Sequence, residues 1–241
     1  KSSAVNRIPL EDTEKIREFL ENKIALFKEN KSTDNLITML NEMIGFCRDM
    51  GEFDAGSRYC DKLFELVNEE PYKNSIPYAT TLLNIANFKR AKKDLAESEK
   101  LYLEVPPIYN KFLPANDFRY ASYHNNLSLL YQEMGQYEKA ISCLEKALAI
   151  AQTYDEARIE VATTYTNMAN CYLKLKDTEK AKEQLKAAFA IFEADEKRDY
   201  HYSGALAAMA ETFVLEKEYD KALEYYEKTL VHLEMYTGKN T

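Results

Sequence analysis

Residues 121–153 read ASYHNNLSLLYQEMGQYEKAISCLEKALAIAQT, and this stretch decides the fold. In its first half His124, Leu127, Ser128 and Tyr131 fall at i, i+3, i+4 and i+7, one stripe of an α-helix. Gly135 then breaks the pattern, as glycine does where a helix ends with a positive φ. A second stripe follows in Tyr137, Ala140, Ile141, Leu144 and Ala147. Small residues at Ser128 and Ala140 let two helices approach closely. The stretch therefore predicts an antiparallel helical hairpin.

The hairpin recurs. The aromatic, apolar or β-branched residue after each turn is Phe53, Leu95, Tyr137, Thr178 and Tyr219, in steps of 42, 42, 41 and 41 residues. Three residues further on stand Gly56, Ser98, Ala140, Ala181 and Ala222, all small. The packing stripe of the first helix also repeats. It is Leu40, Met43, Ile44 and Cys47, then Leu82, Ile85, Ala86 and Lys89, then Tyr165, Met168, Ala169 and Tyr172, and last Leu206, Met209, Ala210 and Phe213. A fixed period of this length marks stacked units, none of which can bury its apolar face alone. The expected division is an N-terminal cap or truncated unit over 1–36 and five units over 37–78, 79–120, 121–161, 162–202 and 203–241. Residues 9–30 predict one amphipathic helix within the N-terminal segment, with Asp12 as its cap.

Composition agrees with an all-α protein. The 241 residues are 46% hydrophobic and 30% charged, with only 6 glycines and 6 prolines. The net charge of −8 argues against nucleic acid and anionic membrane as partners. No apolar run is long enough for a membrane span. The chain starts at Lys1 with no signal-like apolar core after it, which reads as a trimmed or processed piece. Cys47, Cys60, Cys143 and Cys171 form no CxxC pair and sit in helical patterns, so buried reduced thiols in a cytoplasmic protein are expected. His124, His201 and His232 lie far apart in the repeat and predict no metal site. No phosphate loop, GxSxG, HExxH or dinucleotide turn occurs, so neither enzyme chemistry nor a cofactor is expected.

Leu127-Ser128, Tyr131, Gly135, Tyr137 and Ala140 together resemble the tetratricopeptide repeat. The units of 41 or 42 residues are longer than the usual 34 or so of that repeat. In this they resemble kinesin light chains and bacterial peptide-sensing regulators. Tryptophan, frequent at the start of the family's first helix, is absent, and Leu82, His124 and Tyr165 take its place. The resemblance implies a right-handed superhelical solenoid and a concave face, lined by the first helices, that binds an extended peptide or protein segment.

Helical geometry picks out the ridge facing away from each hairpin's core. In the third unit it is Ser122, Asn125, Asn126, Leu129 and Glu133. In the second it is Thr80, Leu83, Asn84, Asn87 and Ala91, and in the fourth Thr163, Thr166, Asn167, Asn170 and Lys174. Asn84, Asn126 and Asn167 fall in one register, and Asn87 and Asn170 in a second. Asparagine is a mediocre helix former, and its amide both donates and accepts. The column predicts either a ladder that holds a peptide backbone or a set of braces between helices. Arg48 and Arg90 stand beside it, 42 residues apart, able to receive an anion or to pair with Glu42, Asp49 or Glu133. Tyr78, Tyr120 and Tyr202 form a third column, read as staples between units or as a binding rim. In the fifth unit Gly204, Ala207 and Ala208 leave room on the ridge. Tyr225, Tyr226, Leu230 and Met235 lie on a last helix with no unit after it, an end suited to a partner or to a homo-oligomer. The chain therefore reads as an interaction module, with a regulator's sensory domain or an oligomerisation scaffold as alternatives.

Overall fold

A computed structural model describes residues 10–195 and 198–237. Pro9, where the sequence reading starts its first helix, and residues 238–241 of the fifth unit lie outside the described residues. The described residues form α-helices and one 3-10 turn, with no strand. They divide into two compact units, with the boundary in the chain between Leu113 and Pro114.

The first unit holds α1 (Leu10–Glu29), α2 (Thr33–Met50), α3 (Phe53–Val67), α4 (Ile76–Ala91), α5 (Leu95–Leu103) and α6 (Val105–Phe112). Helices α2 and α3 form one hairpin and α4 and α5 the next, with α4 packed against both α2 and α3. Helix α1 lies on α2. It is clamped there by Arg17, whose guanidinium pairs with Glu52 in the α2–α3 turn and lies 5.4 Å above the Phe46 ring. The second helix of the α4 hairpin is shorter than its counterparts. Pro106 and Pro107 supply no backbone N–H, so the helix stops at Leu103 and α6 starts afresh with proline in its first turn.

The second unit holds α7 (Phe118–Glu133), α8 (Tyr137–Ala151), α9 (Arg158–Lys174), α10 (Thr178–Ala194), α11 (Tyr200–Leu215) and α12 (Tyr219–Thr237). They pair as α7–α8, α9–α10 and α11–α12. Asp155–Ala157 form the 3-10 turn before α9.

Phe53, Leu95, Tyr137, Thr178 and Tyr219 are each the first residue of a second helix. The turn before them is one device used five times. Its left-handed residue is Gly51, Lys93, Gly135, Lys176 or Lys217, with φ of 72°, 73°, 72°, 62° and 61°. In every case that residue's N–H bonds three residues back, and the next N–H bonds five back, as Gln136 N to Tyr131 O at 2.8 Å. This is the Schellman closure of a helix end.

Small residues let the helices touch. Ser98, Ala140 and Ala181 are fully buried, and the Ser98 hydroxyl donates to Ala86 O at 2.8 Å. A Cβ on Gly56 would stand 2.2 Å from Phe88 Cε2, so only glycine fits there. Tyrosines join consecutive hairpins. Tyr78 packs on Phe64 of the preceding α3, and Tyr202 meets Phe189 and Phe192 of α10 edge-on. Tyr120 is buried at 9% exposure.

Candidate functional site

The first helices bury one stripe and leave another open. Leu82, Ile85 and Ala86 of α4 are buried, as are Leu127, Ser128 and Tyr131 of α7 and Met168 and Ala169 of α9. Thr80, Ser122, Lys174 and Gly204, all on the predicted ridges, are exposed. One edge of the ridge is covered where neighbouring first helices pack side by side, as α2 with α4 and α9 with α11. Thr166 and Ala208 lie on that covered edge, buried at 7% and 3% exposure.

The ridge asparagines differ in what they do. Asn84 is half-buried and its Nδ2 donates to Asn41 Oδ1 at 2.7 Å. The Asn41 amide in turn donates to Ile37 O at 3.0 Å and Thr81 Oγ1 at 3.3 Å. Asn87 is buried, and its Oδ1 accepts from the hydroxyl of Tyr102, a residue with no exposed surface. Tyr102 holds a place that Leu144 and Leu185 hold in later hairpins, so its hydroxyl enters the core and needs an acceptor. In the first unit, then, both asparagines brace helices.

In the second unit Asn126 Nδ2 donates to Ser122 O of its own helix at 3.0 Å. Asn125 is half-buried, its Oδ1 shielded and without a hydrogen-bond partner among the described residues. Asn167 and Asn170 are half-buried on α9, and neither amide makes a hydrogen bond among the described residues. Lys174, one turn further, is exposed and unpaired among them. On α9 the free polar groups of the ridge stand at i, i+3 and i+7.

The arginine column is engaged. Arg48 Nε donates to Asp49 Oδ1 at 2.8 Å. Arg90 is half-buried and has a partner of its own.

His124 is half-buried against Tyr123, with its Nδ1 shielded and unsatisfied. Burial, with the Lys146 ammonium nearby, pushes its pKa down to about 4. All four cysteines are free and buried, and burial raises their thiol pKa values, that of Cys60 to about 12 and that of Cys171 to about 11. Such thiols are poor nucleophiles. Among the described residues no three His, Cys, Asp or Glu side chains gather as a metal site, and no helix is long and apolar enough to cross a membrane.

One feature near the C-terminus was not legible in the sequence. A cleft of about 900 Å³ opens where the C-terminal half of α12 passes the end of α10 and the start of α11. Leu206, Tyr202 and Val231 form its apolar part, with Glu193 and Lys228 at the edge. It arises from a side-by-side placement of helices that helical periodicity does not encode.

Comparison with known proteins places this geometry. A family model described as tetratricopeptide repeat matches residues 77–153, 118–194 and 160–234. Its windows begin 41 and 42 residues apart, the period read from the sequence. No curated protein matches the chain. Among solved structures, BtubC (BKLC) from P. vanneervenii superimposes with a TM-score of 0.78 at 14% identity, covering 100% of this chain and 95% of that one. A putative kinesin light chain from Podosopora anserina, with nearly identical TPR-like repeats, gives 0.71 at 17% identity, covering 85% and 97%. A STAND signal-transduction ATPase with a tetratricopeptide repeat sensor, from Pyrococcus horikoshii, gives 0.70 at 21% identity, covering 95% of this chain and 35% of that protein. At such identities the likeness is one of fold. The family windows together span about two thirds of the sequence, from residue 77 to residue 234, and the chain belongs to the tetratricopeptide repeat family.

Proposed function

We propose that the protein is an interaction module that receives an extended peptide segment of a partner protein on the α9 ridge. The observation that carries this reading is the pair of free amides at Asn167 and Asn170. Neither amide is sealed from water, so both are open to the polar groups of a ligand. An extended peptide offers alternating N–H and C=O groups, and each asparagine can donate to one and accept from the other. Lys174 beside them suits a carboxylate on the incoming segment. Amides do not titrate, so the ridge is equipped to hold a ligand rather than to transform one. Asn125 and Asn126 hold the ridge positions of α7, whereas Asn84 and Asn87 serve as supports and Arg48 is paired with Asp49. A sensory domain of a larger regulator would use the same ridge, with its ligand a signalling peptide.

The test is selection of binders from a displayed library of random twelve-residue peptides, followed by titration of the winners. Each amide makes about two bonds, and each bond contributes about 0.5–1.5 kcal/mol net. Asn167→Ala and Asn170→Ala should each weaken binding about tenfold at an unchanged melting temperature. Winners that bind the double variant as tightly as the wild type would remove the ridge from the reading.

A further inference from the structure

The last hairpin leaves open a stripe that the two hairpins before it cover. Leu223, Tyr226 and Leu230 stand 4, 7 and 11 residues after the first residue of α12. Their counterparts in α10 are Lys182, Leu185 and Phe189, and in α8 Ile141, Leu144 and Leu148. Leu185 and Leu144 have no exposed surface, and Ile141 is 8% exposed. In α12 the same three places are 58%, 46% and 57% exposed. What differs is the helix that follows: α9 packs on α8 and α11 on α10, while no helix among the described residues packs on α12 after its own hairpin partner. The molecule therefore shows twice what kind of object fits this groove, and it is an α-helix with an apolar stripe.

The flank of the stripe says what else that helix carries. Helical geometry puts Glu227 and Glu234 beside Leu223 and Leu230. Both are exposed and neither has an ion-pair partner among the described residues. Lys221 and Lys228 project from the opposite side of α12, where Glu218 and Glu224 hold them. The stripe is thus apolar along its centre and acidic along one edge. A second copy of α12 laid on it would bring Glu227 and Glu234 against their own equivalents, an unfavourable pairing of like charges.

We infer that the exposed stripe of α12 docks an amphipathic helix of a partner protein, with lysine or arginine along the edge facing Glu227 and Glu234. The contact would extend the solenoid by one helix supplied in trans. It is separate from the α9 ridge, so either site can fail without the other.

Two labelled peptides of 18 residues test it by fluorescence anisotropy against the full chain. Both carry one Leu/Ala stripe, the first with lysine at the flanking positions and the second with glutamate. The lysine peptide should bind at least tenfold more tightly, and Glu227→Lys/Glu234→Lys should reverse the preference. Leu230→Glu should abolish binding of both at an unchanged melting temperature, because Leu230 is already exposed. Asn167→Ala/Asn170→Ala should leave it intact. Equal affinity for the two peptides, or binding to neither, overturns the inference. So does sedimentation showing a dimer that Leu230→Glu disperses, since a second copy would then occupy the stripe.

Discussion

The side-chain amide of Asn84 donates to Asn41 Oδ1 at 2.7 Å, tying α4 to α2 across two consecutive hairpins. Asn41 also reaches Ile37 O and Thr81 Oγ1, so one asparagine on each helix completes a small polar seam. Asn84→Ala removes the donor from a part-buried acceptor. The expected cost is about 1 kcal/mol, a drop of a few degrees in the melting temperature of the first unit. Asn167→Ala, which breaks no hydrogen bond, should melt as the wild type does. Equal melting temperatures for all three proteins would show that the seam contributes nothing.

The Asn87–Tyr102 pair gives a sharper test, because both side chains are buried. Tyr102→Phe withdraws the donor and leaves Asn87 Oδ1 stranded, at an expected cost of about 1–3 kcal/mol. Asn87→Leu removes the acceptor that the Tyr102 hydroxyl uses, at a similar cost. The double variant restores an apolar pair in the place where later hairpins use leucine, so it should be more stable than the sum of the singles predicts. Chemical denaturation of the four proteins gives the coupling energy, and additive losses would refute the pairing.

The fold was legible because the repeat restates it five times. The repeat pattern puts residues 53, 95, 137, 178 and 219 directly after a turn, and each begins a helix. Small residues at Gly56, Ser98 and Ala140 announced close helix contact, and they lie at the contacts. The break between α5 and α6 is carried by Pro106-Pro107, a local signal that the averaged repeat pattern hides. The state of the asparagines was not legible for a different reason. Asn84, Asn126 and Asn167 share a register, yet whether an amide is free depends on a side chain elsewhere: Asn41 for Asn84, Tyr102 for Asn87 and none found for Asn167. A partner 43 residues earlier or 15 residues later leaves no trace in a 3.6-residue period.

Three of the five turns place a lysine in the left-handed region, at Lys93, Lys176 and Lys217. A residue with a Cβ costs about 1–2 kcal/mol there. Glycine escapes that cost but loses more entropy on folding. The net expectation for Lys176→Gly or Lys217→Gly is a gain of about 0.5–1 kcal/mol. Gly135→Ala, at φ 72°, should lose about 1 kcal/mol. Urea denaturation midpoints moving in opposite directions for the two kinds of substitution would establish the turn as a tunable element. A loss in the lysine-to-glycine variants would mean that the lysine side chains contribute more than the backbone strain removes.

His124 predicts the direction of the acid response of the second unit. Its pKa lies at about 4 in the folded chain, against 6.5 for an unperturbed histidine, because burial and Lys146 disfavour the imidazolium. Between those two values the unfolded chain binds a proton that the folded chain does not. Stability is therefore fully present above about pH 6.5 and falls as the pH drops toward 4, by at most about 3 kcal/mol at 1.4 kcal/mol per pH unit. Carboxylates engaged in the folded state, such as Asp117, which Arg119 holds below the usual carboxylate range, titrate below this window. The histidine's part is isolated by His124→Leu, which keeps an apolar group in the stripe and removes the titration. Urea unfolding from pH 7 to pH 4.5 should give a slope for the wild type that is steeper than that of the variant by the binding of up to one proton. Parallel slopes would mean that the imidazole reaches water on protonation without unfolding its surroundings.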